Sequence, residues 1–301
     1  MSVAAVRAQP VNSSAAIANI AVSIALFSSM DAVVKWLSAD YSIVQLLFFR
    51  SFFALVPLAI LLRQTGGWSE LKTARPGLQV ARSVVGLVSM GAFFFAFAAM
   101  PLADAVAIAF AGPLFLTLLS IPFLGERVGP RRWAAVIVGF LGVLLIARPG
   151  AGIFGLSALF PLVGALGFAV AMILVRHLST TDSNAAIVFY HALICLLVTG
   201  LALPFYWTTP APADWLPLIA LGVVGGTAQI FMTRAFRLGE ATVVAPFKYI
   251  SIVFAILLGY LFFDDVPDAW TLAGAVVVIA SGLYILHRET IRKREAAAGT
   301  G

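Results

Sequence analysis

Charge is what this chain has least of. Only 11% of its 301 residues are Asp, Glu, Lys or Arg, against 62% that are hydrophobic, where a soluble domain carries about 25% charged residues. A water-facing surface cannot be built from that stock, which excludes a soluble globular enzyme. Cysteine is rarer still. Cys195 stands alone, which rules out an intrachain disulfide and any multi-cysteine metal site, and its apolar neighbours point to packing. The three histidines, His177, His191 and His287, are scattered rather than spaced as ligands, and there is no phosphate loop or paired-carboxylate signature. Neither a resident metal, nor another cofactor, nor an ATP-driven motor is therefore expected.

What remains is apolar and long. Ser83–Ala103 and Ala105–Gly125 each run 21 residues without a charged side chain, Pro149–Val175 runs 27, and Ser183–Ala213 holds another span with a polar end. Since a helix needs roughly 20 residues to cross the hydrocarbon, the pattern predicts an all-α integral membrane protein with ten transmembrane helices. They are placed at 17–37, 43–62, 78–98, 103–123, 131–147, 154–175, 185–206, 213–235, 241–263 and 269–287. Trp36, Trp68, Trp133, Trp207, Trp215 and Trp270 all fall near the ends of these segments, where an amphipathic ring sits at headgroup level.

The basic residues set the orientation. With both termini in the cytoplasm, the inner side receives Arg7, Arg63, Lys72, Arg75, Arg82, Arg127, Arg131, Arg132, Arg176, Arg234, Arg237, Arg288, Arg292, Lys293 and Arg294. The other side keeps Arg148 and gathers Asp40, Asp104, Asp214, Asp264, Asp265 and Asp268. The net charge of +6 is then a matter of topology and anionic lipid. Short basic caps between spans give no nucleic-acid surface.

The two halves echo one another. A short acidic link, a proline-containing helix, an acidic stop and a glycine-rich final helix occur around Asp104, Pro113, Glu126 and Trp133, and again around Glu240, Pro246, Asp265 and Trp270. Five crossings per unit turn the second unit upside down relative to the first, so the expectation is two inverted five-helix repeats. The divisions are a lead at 1–16, repeats at 17–148 and 149–287, and a basic tail at 288–301. Gly222 with Gly226, Ala107 with Ala111 and Gly139 with Gly142 mark faces for close helix contact. Pro113 and Pro246 mark helix kinks, since proline lacks a helical donor.

Polar groups inside the spans are costly and so informative. Asp31 and Arg50 lie at matched depth in the first two helices, with Lys35 four residues on from Asp31, and the three are candidates for a gate or structural ion pair. In the other half His191, Gln229, Lys248 and Tyr249 lie at similar height: Lys248 is a candidate for a carboxylate, Gln229 for an amide or amine, and Tyr249 for an aromatic face with a hydroxyl. Met90 and Phe93 are candidates for an apolar wall. Each also has a plain packing or snorkelling role open to it.

Phe48-Phe-Arg50, Met100-Pro-Leu-Ala-Asp-Ala105, Pro113, Leu124-Gly-Glu126, Pro246-Phe-Lys-Tyr249 and Phe262-Phe-Asp-Asp265 together resemble the bacterial drug/metabolite transporter superfamily, specifically its EamA-type exporters. The resemblance implies ten helices in paired repeats, an inner-membrane location and export or exchange of small metabolites. Its aromatic amino acid exporters are the most similar group, which implies amino acids with aromatic or other apolar side chains, moved by alternating access. The partners expected are this solute, membrane lipid and a proton as candidate coupling ion, with a monomer sufficient. Another metabolite or drug, a channel and a static scaffold stay open as alternatives.

Overall fold

The computed structural model describes residues 13–65, 67–124, 129–148, 155–238, 247 and 249–298. Its helices are α1 (Ser13–Leu37), α2 (Ile43–Thr65), α3 (Pro76–Ala99), α4 (Leu102–Ala109), α5 (Gly112–Leu124), α6 (Pro130–Ala147), α7 (Leu159–Leu178), α8 (Asn184–Tyr206), α9 (Trp215–Leu238), α10 (Ile250–Phe263) and α11 (Ala269–Ala298). Local chemistry sets their ends. Pro76 and Pro130 start α3 and α6, where a missing N–H costs nothing. The Ser183 hydroxyl accepts from Ala186 N at 3.0 Å and caps α8. Asp264 closes α10 in the left-handed conformation at φ 53°, which Asp tolerates better than most residues.

The expectation of ten crossings in two inverted five-helix repeats is corrected here. Among the described residues seven helical segments are long and apolar enough to cross a membrane: Ser14–Leu37, Ile43–Gln64, Pro76–Ala99, Leu102–Phe123, Leu156–Val175, Asn184–Tyr206 and Pro212–Met232. Trp133–Ala147, Ile250–Phe263 and Ala269–Ile285 are apolar but shorter. The 14 residues of α10 rise about 21 Å, against about 30 Å of hydrocarbon. Of the segment expected over 241–263, the described α-helix is Ile250–Phe263. The segment expected over 103–123 is a broken helix, α4 and α5, interrupted at Phe110 and Ala111. Pro113, expected as a kink within a helix, is the second residue of α5, just after that break. Pro246 lies outside the described residues.

The main helix seams pair α1 with α9, α2 with α8 and α9, α3 with α7 and α8, and α6 with α11. Glycine makes two of these seams close. A Cβ on Gly222 would meet the backbone oxygens of Phe49 and Arg50 at 2.9 Å, and one on Gly226 would lie 2.7 Å from Pro57. Between α6 and α11, a Cβ on Gly274 would meet the Gly142 carbonyl at 2.7 Å. Such backbone approach lets dispersion hold helices where lipid removes the hydrophobic drive. The largest apolar core cluster contains Leu46, Phe94, Leu102, Ile108, Ile146 and Leu221. All six tryptophans are exposed at or beside helix ends.

Candidate functional site

The bundle has two chemically distinct ends. At the Asp-rich end the links are tied together. Gln45, fully buried, clamps Thr208 with both sides of its amide, donating to the carbonyl at 2.7 Å and accepting from the N–H at 2.8 Å. The Tyr41 hydroxyl donates to Asp214 at 2.6 Å and accepts from Ala211 N at 3.1 Å, and the Asp214 contact pushes the Tyr41 phenol above its ordinary range. Lys35 pairs with Asp265 at 3.1 Å, donates to the Met100 carbonyl at 2.8 Å and lies 5.3 Å from the Phe263 ring centre. Arg148 pairs with Asp268, whose carboxyl is held below the usual range by the Thr271 backbone N–H first and by Arg148 after it. The Thr271 hydroxyl in turn donates to Asp104 at 2.6 Å.

The opposite, Arg-rich end is knit around Asp182. Its carboxylate accepts from Thr73, from Ala74 N at 3.1 Å and from Gln79 at 2.9 Å. Burial pushes this carboxyl up, but those hydrogen bonds outweigh it and hold it below the usual range. Beside Asp182 lies a cavity of about 330 Å³, lined by Glu70, Asn184, Val188, Ile230 and Arg234 among others.

Between the ends sits an ionisable cluster. Arg50 on α2 lies within electrostatic reach of Asp31 on α1 and of Arg82 on α3, and its Nε is 3.7 Å from where a Cβ of Gly225 on α9 would stand. No direct Asp31–Arg50 ion pair forms among the described residues. His191 on α8 completes the group: its ring packs on Gly86, whose added Cβ would lie 2.8 Å from Cε1, and its Nδ1 is 3.4 Å from the Cys195 thiol. Gly86 is one turn along α3 from Arg82, so the missing side chain leaves room for the imidazole beside the guanidinium.

The other residues named from the sequence are distributed over several elements. Lys35 joins the Asp-rich clasp described above. Tyr249 packs edge-on against Phe110 at 5.0 Å, and its hydroxyl fills the space beside Gly282. Phe93 stacks on Phe97 at 6.3 Å and covers Gly164 of α7, while Met90 is partly buried against the main core. Gln229 is partly buried on α9. Lys248 lies outside the described residues. In the sequence Arg82 is a topology marker at the margin of a charge-free run. The sequence signal that points to it is its place in the second turn of a helix begun at Pro76.

Long apolar helices, exposed tryptophans at helix ends and a group of charges within the spans define a polytopic membrane protein. The chain belongs to the EamA-like transporter family, which matches residues 14–148 and again residues 155–287. Among its relatives are a pseudopaline exporter of Pseudomonas aeruginosa, 37% identical over 262 residues and covering 85% of this chain and 90% of the relative. An S-adenosylmethionine uptake transporter of Rickettsia conorii is 29% identical, covering 87% and 89%, and a riboflavin transporter of Rhizobium johnstonii is 29% identical, covering 90% of each. A solved crystal structure of a protein superposes with a TM-score of 0.63 at 20% identity, over 90% of this chain and 96% of its own, and shares the fold. This chain is a secondary transporter of small metabolites and a multi-pass protein of the bacterial inner membrane.

Proposed function

We propose that the protein carries a small polar organic metabolite by alternating access, with the central cluster of Asp31, Arg50, Arg82 and His191 as its substrate station. The observation that carries this reading is the grouping of four partly buried ionisable side chains between an end tied by Gln45, Tyr41 and Lys35 and an end indented by a cavity. Charges buried in a membrane protein mark a solute or ion path more often than a structural need. The principal seams join helices of one family-matched stretch to helices of the other. Movement of one stretch against the other therefore changes which end of the cluster is open.

The substrate class is broader than the amino acids expected from the sequence. The relatives are named for three different solutes, and amino acids with apolar side chains are one member of the wider class of small metabolites. Asp31 is the candidate group for a coupled proton. Direction follows the gradient, since a carrier without its own motor runs either way. We also assign the Arg-rich end to the cytoplasm, on the excess of basic residues there.

The test is exchange in proteoliposomes holding purified protein, with labelled methionine, phenylalanine, S-adenosylmethionine or riboflavin inside. A carrier shows saturable efflux that unlabelled solute on the other side accelerates. Flux that rises linearly with concentration and ignores solute on the far side removes alternating access, and a current without exchange points to a channel.

A further inference from the structure

Six buried side-chain polar atoms on α2 and α3 lack a hydrogen-bond partner among the described residues. Five belong to two Arg-Ser dipeptides: Arg50 Nε, Ser51 Oγ, Arg82 Nε, Arg82 Nη1 and Ser83 Oγ. A sixth, Gln79 Oε1, is one turn before Ser83. Buried donors without acceptors each cost on the order of 1–3 kcal/mol, more when the group is charged. The arginine donors among them, Arg50 Nε with Arg82 Nε and Nη1, lie within electrostatic reach of one another, which is the pattern expected of donors kept for a ligand.

The geometry suits an anion held from both sides. Arg50 is seven residues into α2 from the Asp-rich end, about 10 Å of rise, and Arg82 is six residues into α3 from the other end, about 9 Å. Along a helix of about 34 Å these depths leave about 15 Å between the two backbones, a gap that the two long side chains narrow until the guanidinium groups lie within electrostatic reach of one another. Two like charges at that depth repel, so the pair calls for a negative partner between them. The formal charges say how much: with Asp31 ionised, the state in which it carries no coupled proton, Arg50, Arg82 and Asp31 sum to +1 with His191 counted as neutral. One negative charge balances them; the roughly −2 of a phosphate monoester overshoots.

We infer that Arg50 and Arg82 form a carboxylate-binding site that holds the single acid group of the transported metabolite between α2 and α3. The inference deepens the carrier reading and rests on it. A planar carboxylate offers each guanidinium two acceptor oxygens at fixed spacing, matching the fork of N–H donors that arginine presents. His191 and the Cys195 thiol wall the station on the α8 side. Binding removes the cost of the unpartnered donors and the repulsion between the arginines, so the loaded site is the electrically comfortable one. The empty site is the state that resists closing.

A structural arginine and a ligand-binding arginine respond oppositely to neutralisation. Among the described residues no carboxylate acts on Arg82, so Arg82→Gln removes an unpaired charge and is expected to raise the melting temperature of the ligand-free protein. The same variant should weaken carboxylate binding about tenfold or more, with Arg82→Lys retaining part of it. Thermal protection in detergent is measured with methionine, phenylalanine, S-adenosylmethionine and benzoate, against methioninamide, phenylalaninamide, benzamide and inorganic phosphate. The expected result is that at least one acid protects wild type while its amide and phosphate do not. Equal protection by acid and amide, protection that survives Arg82→Gln, or no protection by any acid each overturns the site. The wild-type comparison of acid with amide stands even where a variant does not fold. Exchange in proteoliposomes separates the two readings. Saturable exchange that does not distinguish acid from amide keeps the carrier and removes the carboxylate site, whereas no exchange of any solute removes both.

Discussion

Asp182 shows how much one side chain can hold at the Arg-rich end. Three donors from the start of α3 and the turn before it converge on a carboxylate at the far end of α7, more than a hundred residues away in the chain. Because these bonds favour the ionised form, the folded-state value lies below the unfolded one. The stabilisation is therefore present at neutral pH and lost as pH falls through the carboxylate range. Asp182→Asn should cost on the order of 1–2 kcal/mol at pH 7, and melting curves for the variant and wild type should converge as the pH falls below the carboxylate range. A constant difference at all pH values would show that the lost contact is not the charge. From the sequence Asp182 is one polar residue in the run Ser179-Thr-Thr-Asp-Ser183, and nothing local marks its partners. Asp31 and Arg50 were legible because each interrupts a long apolar stretch. Arg82 was not, since its distance from the edge of the run resembles that of an interfacial anchor. Only the face it takes on α3 turns it inward.

Helix spacing is readable where helix partners are not. Gly222 and Gly226 declared a small-residue face on α9 by their separation, but α2 as its partner, and the backbone oxygens of Phe49 and Arg50 as its contacts, come from tertiary packing. Gly222→Val would press a branched side chain onto those carbonyls and shift the turn that carries Arg50. We expect a loss of about 1–3 kcal/mol in thermal or denaturant unfolding, together with impaired exchange. Gly77→Ala is the control, because an added methyl there meets nothing within 4 Å, and it should be tolerated. A harmless Gly222→Val would mean that α2 and α9 are not held this closely in the membrane. Helix length was the less legible quantity. An apolar run gives an upper bound on a helix, and left-handed Asp264 or the break at Phe110 trims it in ways composition cannot report.

At the scale of the whole molecule both ends are tied, and the ties of the Asp-rich end are few enough to cut. Gln45→Leu keeps the bulk of the side chain but abandons both hydrogen bonds to Thr208, a loss of roughly 1–3 kcal/mol. That favours the form open at the Asp-rich end by about one to two powers of ten. A cysteine placed at Thr209, in a background without Cys195, should react faster with an impermeant maleimide when Gln45 is Leu. An unchanged rate would mean that this clasp does not govern access. The tryptophans carry a consequence of another kind. Trp36, Trp207, Trp215 and Trp270 sit at the Asp-rich end and Trp68 and Trp133 at the other, all six exposed, so the intrinsic emission of the protein comes from its two rims and not from its centre. Iodide added outside sealed vesicles of uniform orientation will dim the larger share of that emission when the Asp-rich rim faces outward and the smaller share when it faces the lumen. A lamp and a salt solution thus report which way up the molecule lies, without a label and without touching the residues that handle the solute.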